Sequence, residues 1–527
     1  MMGATVFLLA ASLLRCLDPY TCVYQTDDAR EGAELAKEPG YWPMPQGLVD
    51  PLAAKPQARV VHTVFRTGET PQDGYDPEKP SPLFKVNQVG YLPNSPKFAY
   101  VGAWLGPGLG AWKPKSPMAG WEIVDAGTGK VALGSPVPPV LRVPDGTTKE
   151  GVPFTGEETY EMDFSCVTNE GTYFMRIPGV GRSADFKISA GAAEEAFRVH
   201  MLGLYQKRCG IAKVEPYTHW TSGACHTSVV RGSFPPDEGK YEPKARWFDI
   251  IRDNTDWKDG RRIRVVGGWH DAADYDRRPM HLNIVNDLCA VYLMRPQNFR
   301  DGQLAIPENA NGMPDVLDEA EWGLRHLLAV QQKDGGVGTW VETVAHPTPG
   351  SLAEKDDMPY AVSRATRRSS LMYAAHAALL VRCHPSFREK YLESAKRAWD
   401  FAMREAPQED IFVVKRTAGR FFKRTEESSV RWTEDRDLPT PYLVKAAVNL
   451  HALTGDARYL EPVERDGKRL ADDLAKKAWS LIPLLFAGER ALGLPESLAH
   501  ICGKSLTISP KSLQAYQFLL NILYWSM

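Results

Sequence analysis

A change of hydrophobic period at Ser189 constrains the fold of this chain more than any other feature. From residue 83 to that point, apolar residues come in short runs: Phe84–Val89, Phe98–Val101, Trp121–Val124, Val131–Leu133, Tyr160–Phe164, Thr172–Ile177 and Ala184–Ser189. Turn-forming residues separate them, as at Asp125–Gly129 and Asn169–Gly171. About seven short strands with such punctuation predict a β-sandwich over residues 83–189. Beyond Ser189 the spacing is helical. Ala196, Phe197, Met201, Leu204 and Tyr205 repeat over 191–208, and Leu317, Ala320, Leu324, Leu327 and Leu328 over 314–331. Pro314 suits the first helical position, and Asp315, Asp318 and Glu319 suit the positive helix start. Further helices are expected at 281–294, 369–383, 387–404, 440–453 and 466–480. Helices in series without intervening strands predict stacked helical hairpins. Periodicity does not choose between a barrel and an open bundle.

The first 82 residues read differently. Val6–Leu14 is an apolar run too short to span a bilayer, and it reads as the core of a secretory signal over 1–22. Arg15 before Cys16 argues against lipoprotein cleavage. Residues 23–82 are polar and Pro-rich and read as a leader with little core of its own. No other segment reaches transmembrane length. A net charge of −2 with 24% charged residues gives no basic excess for nucleic acid or an acidic membrane. Eight scattered cysteines do not make a disulfide framework.

One stretch carries chemistry: Gly267-Gly-Trp-His-Asp-Ala-Ala-Asp-Tyr275. If a helix begins here, Asp271 and Asp274 share one face. Two carboxylates aimed at one spot can hold a water and take its proton, as glycosidic hydrolysis requires on one side of a sugar. The plainer reading is a helix start, where Asp is common.

The stretch resembles the base motif of glycoside hydrolase family 9, the inverting cellulases. Further matches follow in that family's order: Ile306–Leu324, Asp334–Val337 and Leu453–Leu460. Upstream, Phe84–Pro93 resembles the opening strand of the immunoglobulin-like module that precedes many such catalytic domains. The resemblance covers roughly residues 83–460. It implies an all-β immunoglobulin-like sandwich followed by an all-α (α/α)6 barrel over 190–527. It also implies hydrolysis of β-1,4-glucosidic bonds in a β-glucan polysaccharide or oligosaccharide by a secreted or periplasmic enzyme. Asp274 would be the base and Asp271 would help hold the water. Ala273 stands where the pattern has Gly, and Asp276-Arg-Arg278 departs from it and adds charge. Trp340 and Trp432 fall in loops after helices where the family places sugar-stacking aromatics.

Cys209, Cys225, His226 and His270 are the right residue types for a tetrahedral structural zinc site, although their spacing alone leaves four unrelated residues as the plainer reading. The resemblance implies a Zn2+ site of this kind, pinning the loop before Asp271. Ca2+ also occurs in the family, but Pro441-Tyr442 replaces the Asp-Glu expected there, so no Ca2+ is placed. The resemblance implies a general acid that is a Glu in an Asn-Glu context near the barrel's end. Asn-Glu occurs here only at Asn169-Glu170, inside the sandwich. The barrel is therefore expected to be incomplete at its C-terminus and to lack the acid, Glu489 and Glu496 reading as solvated charges. Two other functions stay open: an inactive carbohydrate-binding pseudoenzyme, and a zinc-dependent hydrolase. A closed Cys2His2 set argues against the latter.

Overall fold

The structure is a computed structural model that describes residues 13–18, 21–26, 29–37, 41–49, 57–67, 80–81, 83–103, 111–114, 117–142, 156–230, 262–271, 275, 277–343, 352–356, 360–362, 365–404, 410–417, 425–432 and 440–466. One compact unit ends at Val199 and a second begins at His200.

In the first unit, β1 (Leu13–Asp18), β2 (Thr21–Thr26), β3 (Tyr41–Val49) and β4 (Gln57–Thr67) form a sheet in the order β1-β2-β4-β3, with α1 at Ala29–Leu35. The segment expected to be a leader thus carries regular structure. Its prolines permit this because Pro43 and Pro45 lie in β3, at the sheet's edge, where a missing N–H breaks no central ladder. The rest of the expected signal segment, residues 1–12, lies outside the described residues.

The sandwich follows as expected. One sheet joins β5 (Phe84–Lys85), β6 (Phe98–Val101), β9 (Val140–Arg142) and β10 (Thr159–Asp163) in the order β5-β6-β10-β9. The other runs β12-β11-β7-β8, from β7 (Trp121–Asp125), β8 (Val131–Ser135), β11 (Gly171–Ile177) and β12 (Gly181–Arg182), with β13 (Phe186–Ile188) also on β11. Ala99, Val101 and Met162 of the first sheet share one core with Trp121, Ile123, Met175 and Ile177 of the second. Alternate residues of β6, β7 and β11 supply it, as a pleated strand with one wet face must. The first strand is shorter than its apolar run. Gly90, at φ +116°, donates to Asn87 O in a turn that swings Tyr91 inward. The Tyr91 ring stands edge-on to Phe164 and Phe186, with centroids 5.0 and 5.3 Å away. Its hydroxyl donates to Phe98 O at 2.7 Å and accepts from Asn87 N at 2.8 Å.

In the second unit α2 (Ala192–Gln206), which starts before its boundary, leads to α3 (Leu282–Met294), α4 (Asp315–Val330), α5 (Arg367–Cys383), α6 (Arg388–Ala402), α7 (Thr440–Thr454) and α8 (Glu461–Arg465). Each of the first six matches its expected range within two residues; the expected helix over 466–480 lies outside the described residues. Helix α5 is the centre, packed by α3, α4, α6 and α7. Its Ala374, Ala375, Ala377 and Ala378 are fully buried, so neighbouring helices can approach closely. It starts in a capping box, with Thr366 Oγ1 accepting from Ser369 N at 3.0 Å.

The expectation of no strands between helices is corrected. A sheet of four short strands, β14 (Ser228–Val230), β15 (Arg262–Arg264), β16 (Val341–Thr343) and β17 (Tyr360–Val362), lies in this unit in the order β15-β14-β17-β16. Each strand has three residues, too few for an alternating pattern to register. A hairpin joins β18 (Asp410–Thr417) to β19 (Thr425–Trp432). Among the described residues, no helix is long and apolar enough to cross a membrane.

Candidate active site and metal centre

The small sheet gathers what the sequence scatters. His226 lies just before β14, Gly267–Asp271 just after β15, Trp340 just before β16, and Asp356 just before β17. Backbone pairing between β14 and β17, with side-chain bonds across it, brings together positions up to 130 residues apart.

Gly267–Asp271 is an extended loop clamped between α4 and the segment after α2. Gly268 N donates to Trp322 O at 2.6 Å, and Trp322 Nε1 returns a bond to Gly268 O at 3.0 Å. On the other side Cys209 N donates to Gly268 O at 2.9 Å and His270 N to Lys207 O at 3.0 Å. Gly267 is required here. Its φ is +113°, and a Cβ would lie 2.6 Å from Arg325 Cβ and 2.9 Å from Trp322 O. Trp269 is buried, its Nε1 donating to Glu319 Oε1 at 2.8 Å. The same carboxylate takes Arg208 Nε at 3.1–3.2 Å, both side chains being fully buried. Arg208 also donates to Glu308 at 2.9 Å. A buried pair satisfied on several sides fixes one arrangement of loop and helix.

Asp271 is the last described residue of this loop, residues 272–274 lying outside the described ones. Tyr275 has φ +55°, and the next helical turn is the 3-10 turn Pro279–His281. Asp274 lies outside the described residues. Asp271 is 40% exposed, with Arg278 Nε 3.9 Å from its Oδ2. The Arg278 guanidinium carbon sits 5.1 Å from the centre of the Trp340 ring, so Arg278 lies near both Asp271 and Trp340. Trp340 is in a loop, as expected. Trp432 is not: it ends β19, its backbone paired with Asp410.

Of the four expected metal ligands, the structure brings three together: one ligand atom each of Cys209, Cys225 and His226 lies within 4.8 Å of the others. The His270 ring stands next to them, its centroid 6.4 Å from that of His226, and its Nδ1 is 3.2 Å from Asp271 O. The Cys209 hydrogen bond holds the Cys225 thiol down to about 3 against the opposing effect of burial, aided by His226 and Lys213, while burial pushes Cys209 up. Burial drops His270 to about 4, keeping its imidazole neutral. The Tyr275 ring packs on both imidazoles, 5.5 Å from His226 and 5.2 Å from His270.

Several neighbours carry no sequence signal. Arg208 and Lys213 are buried cations in a segment with no motif, and Asp356 and Tyr360 sit in a stretch that reads as loop. Glu308 and Glu319 lie inside Ile306–Leu324, a segment the sequence singled out.

Comparison with known proteins gives the family. The family model for Glycosyl hydrolase family 9 matches residues 194–488, and that for the Cellulase N-terminal ig-like domain matches residues 79–182. Endoglucanase D of Acetivibrio thermocellus is 30% identical over 333 residues, covering 61% of this chain and 47% of that protein. The chain thus spans about half the length of that relative. A solved metagenome-derived glycoside hydrolase family 9 endoglucanase superposes with TM-score 0.55 at 28% identity, covering 73% of this chain and 64% of the other. A zinc-binding triple mutant of another family 9 endoglucanase shares the fold, with TM-score 0.52 at 21% identity over 78% of this chain and 69% of the other. The first family match spans more than half of the sequence, and the chain belongs to glycosyl hydrolase family 9.

Proposed function

We propose that the protein is a β-1,4-glucan hydrolase of the inverting kind, acting outside the cytoplasm on a polysaccharide or its oligosaccharides. The observation that carries this reading is the clamped Gly267–Asp271 loop, which holds an exposed Asp271 beside Arg278, itself over the Trp340 ring, in a chain of this family. Asp274 is the proposed base and Asp271 holds the attacking water. An inverting acid–base pair stands about 6.5–9.5 Å apart, leaving room for that water. The leaving-group acid is proposed to be absent from this chain, because its only Asn-Glu pair is Asn169-Glu170 in the sandwich. Glu489 and Glu496 lie outside the described residues. Trp340, whose ring carries the Arg278 guanidinium, is the proposed sugar-stacking aromatic.

We further propose that Cys209, Cys225, His226 and His270 hold one structural Zn2+. The donor set suits zinc, and His226 Nδ1 is buried with no hydrogen-bond partner beside the two sulfurs. Bound there, the ion would fix the imidazoles against which Tyr275 packs, and so the loop from Asp271 to Tyr275.

Leaving-group protonation by a general acid contributes roughly 10²–10⁴-fold to such reactions. The full chain should therefore barely attack cellulose yet turn over a glucosyl or cellobiosyl fluoride, whose leaving group needs no proton. Proton NMR of the first product formed from the β-fluoride should show the α-anomer, and Asp274→Asn should abolish turnover. Robust cellulose hydrolysis overturns the missing acid, and unchanged fluoride turnover in Asp274→Asn overturns the base.

A further inference from the structure

We propose that Asp356, held by Tyr360, is the positioning residue that presents His226 to the metal centre; this rests on the zinc reading above. His226 is clamped on two sides. Its Nε2 lies 3.0 Å from Asp356 Oδ2, and its carbonyl accepts Arg277 Nη2 at 3.0 Å. The same Asp356 oxygen accepts the Tyr360 hydroxyl at 2.6 Å. The His226 and Asp356 side chains are 3% and 1% exposed, so neither bond competes with bulk water. A carboxylate on Nε2 keeps the proton there and leaves the lone pair on Nδ1, the ring nitrogen without a hydrogen-bond partner. The backbone at His226 adds a second constraint: its φ is +48°, a left-handed turn that a non-glycine residue adopts only when its surroundings hold it.

The clamp is built by the small sheet. Tyr360 opens β17, whose Ala361 pairs in parallel with Val230 of β14, four residues beyond His226. Glu354, two residues before Asp356, accepts the Gly223 N–H, tying the same two segments together on the other side of the cluster. Asp356 and Arg277 also place one negative and one positive charge about the imidazole. A site of two thiolates, two neutral imidazoles and Zn2+ is itself neutral, and Lys213, its Nζ 3.9 Å from Cys225 Sγ, adds a further positive charge beside it.

Carboxylate partners of this sort change metal affinity by about 10–100-fold. The test titrates the metal-free full chain with Zn2+ against a chromophoric chelator, and with Co2+ for its absorption spectrum. The wild type should bind one equivalent of zinc and give a tetrahedral cobalt spectrum with sulfur charge-transfer bands. Asp356→Ala should weaken zinc about 10–100-fold and shift the cobalt ligand-field bands. Asp356→Asn, which keeps an acceptor without the charge, should lose less. Tyr360→Phe removes one hydroxyl and leaves the fold a full aromatic ring, so it serves if the alanine variant does not fold; it should lose a few-fold. Wild-type affinity and an unchanged cobalt spectrum in Asp356→Asn and Tyr360→Phe overturn the clamp while leaving the zinc site intact. A wild-type chain that binds no zinc overturns the zinc reading and the clamp with it.

Discussion

Two motif segments, one in each unit, are built on the same device and end differently. In the sandwich, Phe84–Pro93 turns at Gly90; in the helical unit, Gly267–Tyr275 turns at Gly267. Around the first turn the buried polar groups close on one another. The Tyr91 hydroxyl has both a donor and an acceptor, and the buried Lys97 ammonium donates to the carbonyls of Pro93 at 2.6 Å and Ser95 at 2.9 Å. Around the second they do not. Among the described residues, the buried side-chain nitrogen and oxygen atoms without a partner all lie beyond His200, and they include His226 Nδ1, Arg277 Nε and Nη1, and His326 Nδ1. A closed hydrogen-bond network serves the fold. Buried donors and acceptors left open cost free energy, and such groups collect where a ligand or a reaction completes them.

The largest effect that could break this contrast is steric. Gly267→Ala should cost on the order of 3–4 kcal/mol, because strain at positive φ adds to contact with α4 backbone. Gly90→Ala should cost about 1–2 kcal/mol, since its Cβ would meet nothing nearer than 3.2 Å. Denaturant titration of both variants measures this; equal costs would mean that the clamp on Gly267 is looser than its distances indicate. Metal removal comes next. Chelation, or Cys225→Ser, should destabilise the helical unit by about 3 kcal/mol at a hundredfold excess of zinc over its dissociation constant and leave the sandwich unchanged. Hydrogen exchange followed separately in the two units distinguishes this from a general loss.

The smallest effect is a pH dependence. Burial pushes the Asp318 carboxyl up to about 7, against its hydrogen bond from Asn311 and with help from Glu308 and Asp315. Its folded value lies above the unfolded value of about 3.9, so its contribution is present at low pH and lost as pH rises through about 7. Asp318→Asn should remove that loss, so that the variant gains on the wild type at pH 8 and not at pH 4. Parallel unfolding curves for both proteins at all pH values would show that Asp318 does not titrate in this range.

The sequence legibly encoded the frame and only part of the site. Helices α3 to α7 are long enough for their apolar stripes to register, and β6, β7 and β11 show alternation. The small sheet escaped notice because three-residue strands carry no period, and Asp356 escaped with it, since nothing local marks a residue whose partner lies 130 positions away. Cys209, Cys225 and His226 were legible as residue types and through the resemblance, not through spacing. Whether Asp271 and Asp274 share a helical face falls on residues 272–274, outside the described ones; what the structure adds is the tie of Gly267–His270 to α4 and to Lys207–Cys209, which no local pattern marks.

X-ray absorption at the zinc edge of the purified full chain tests most directly whether the open groups near the Gly267 loop mark a metal centre. The expected spectrum has two sulfurs at about 2.3 Å and two nitrogens at about 2.0–2.1 Å around one equivalent of zinc, and loses a sulfur or the metal in Cys225→Ser. A chain without zinc, or zinc in an oxygen-rich shell indifferent to Cys225→Ser, would contradict it.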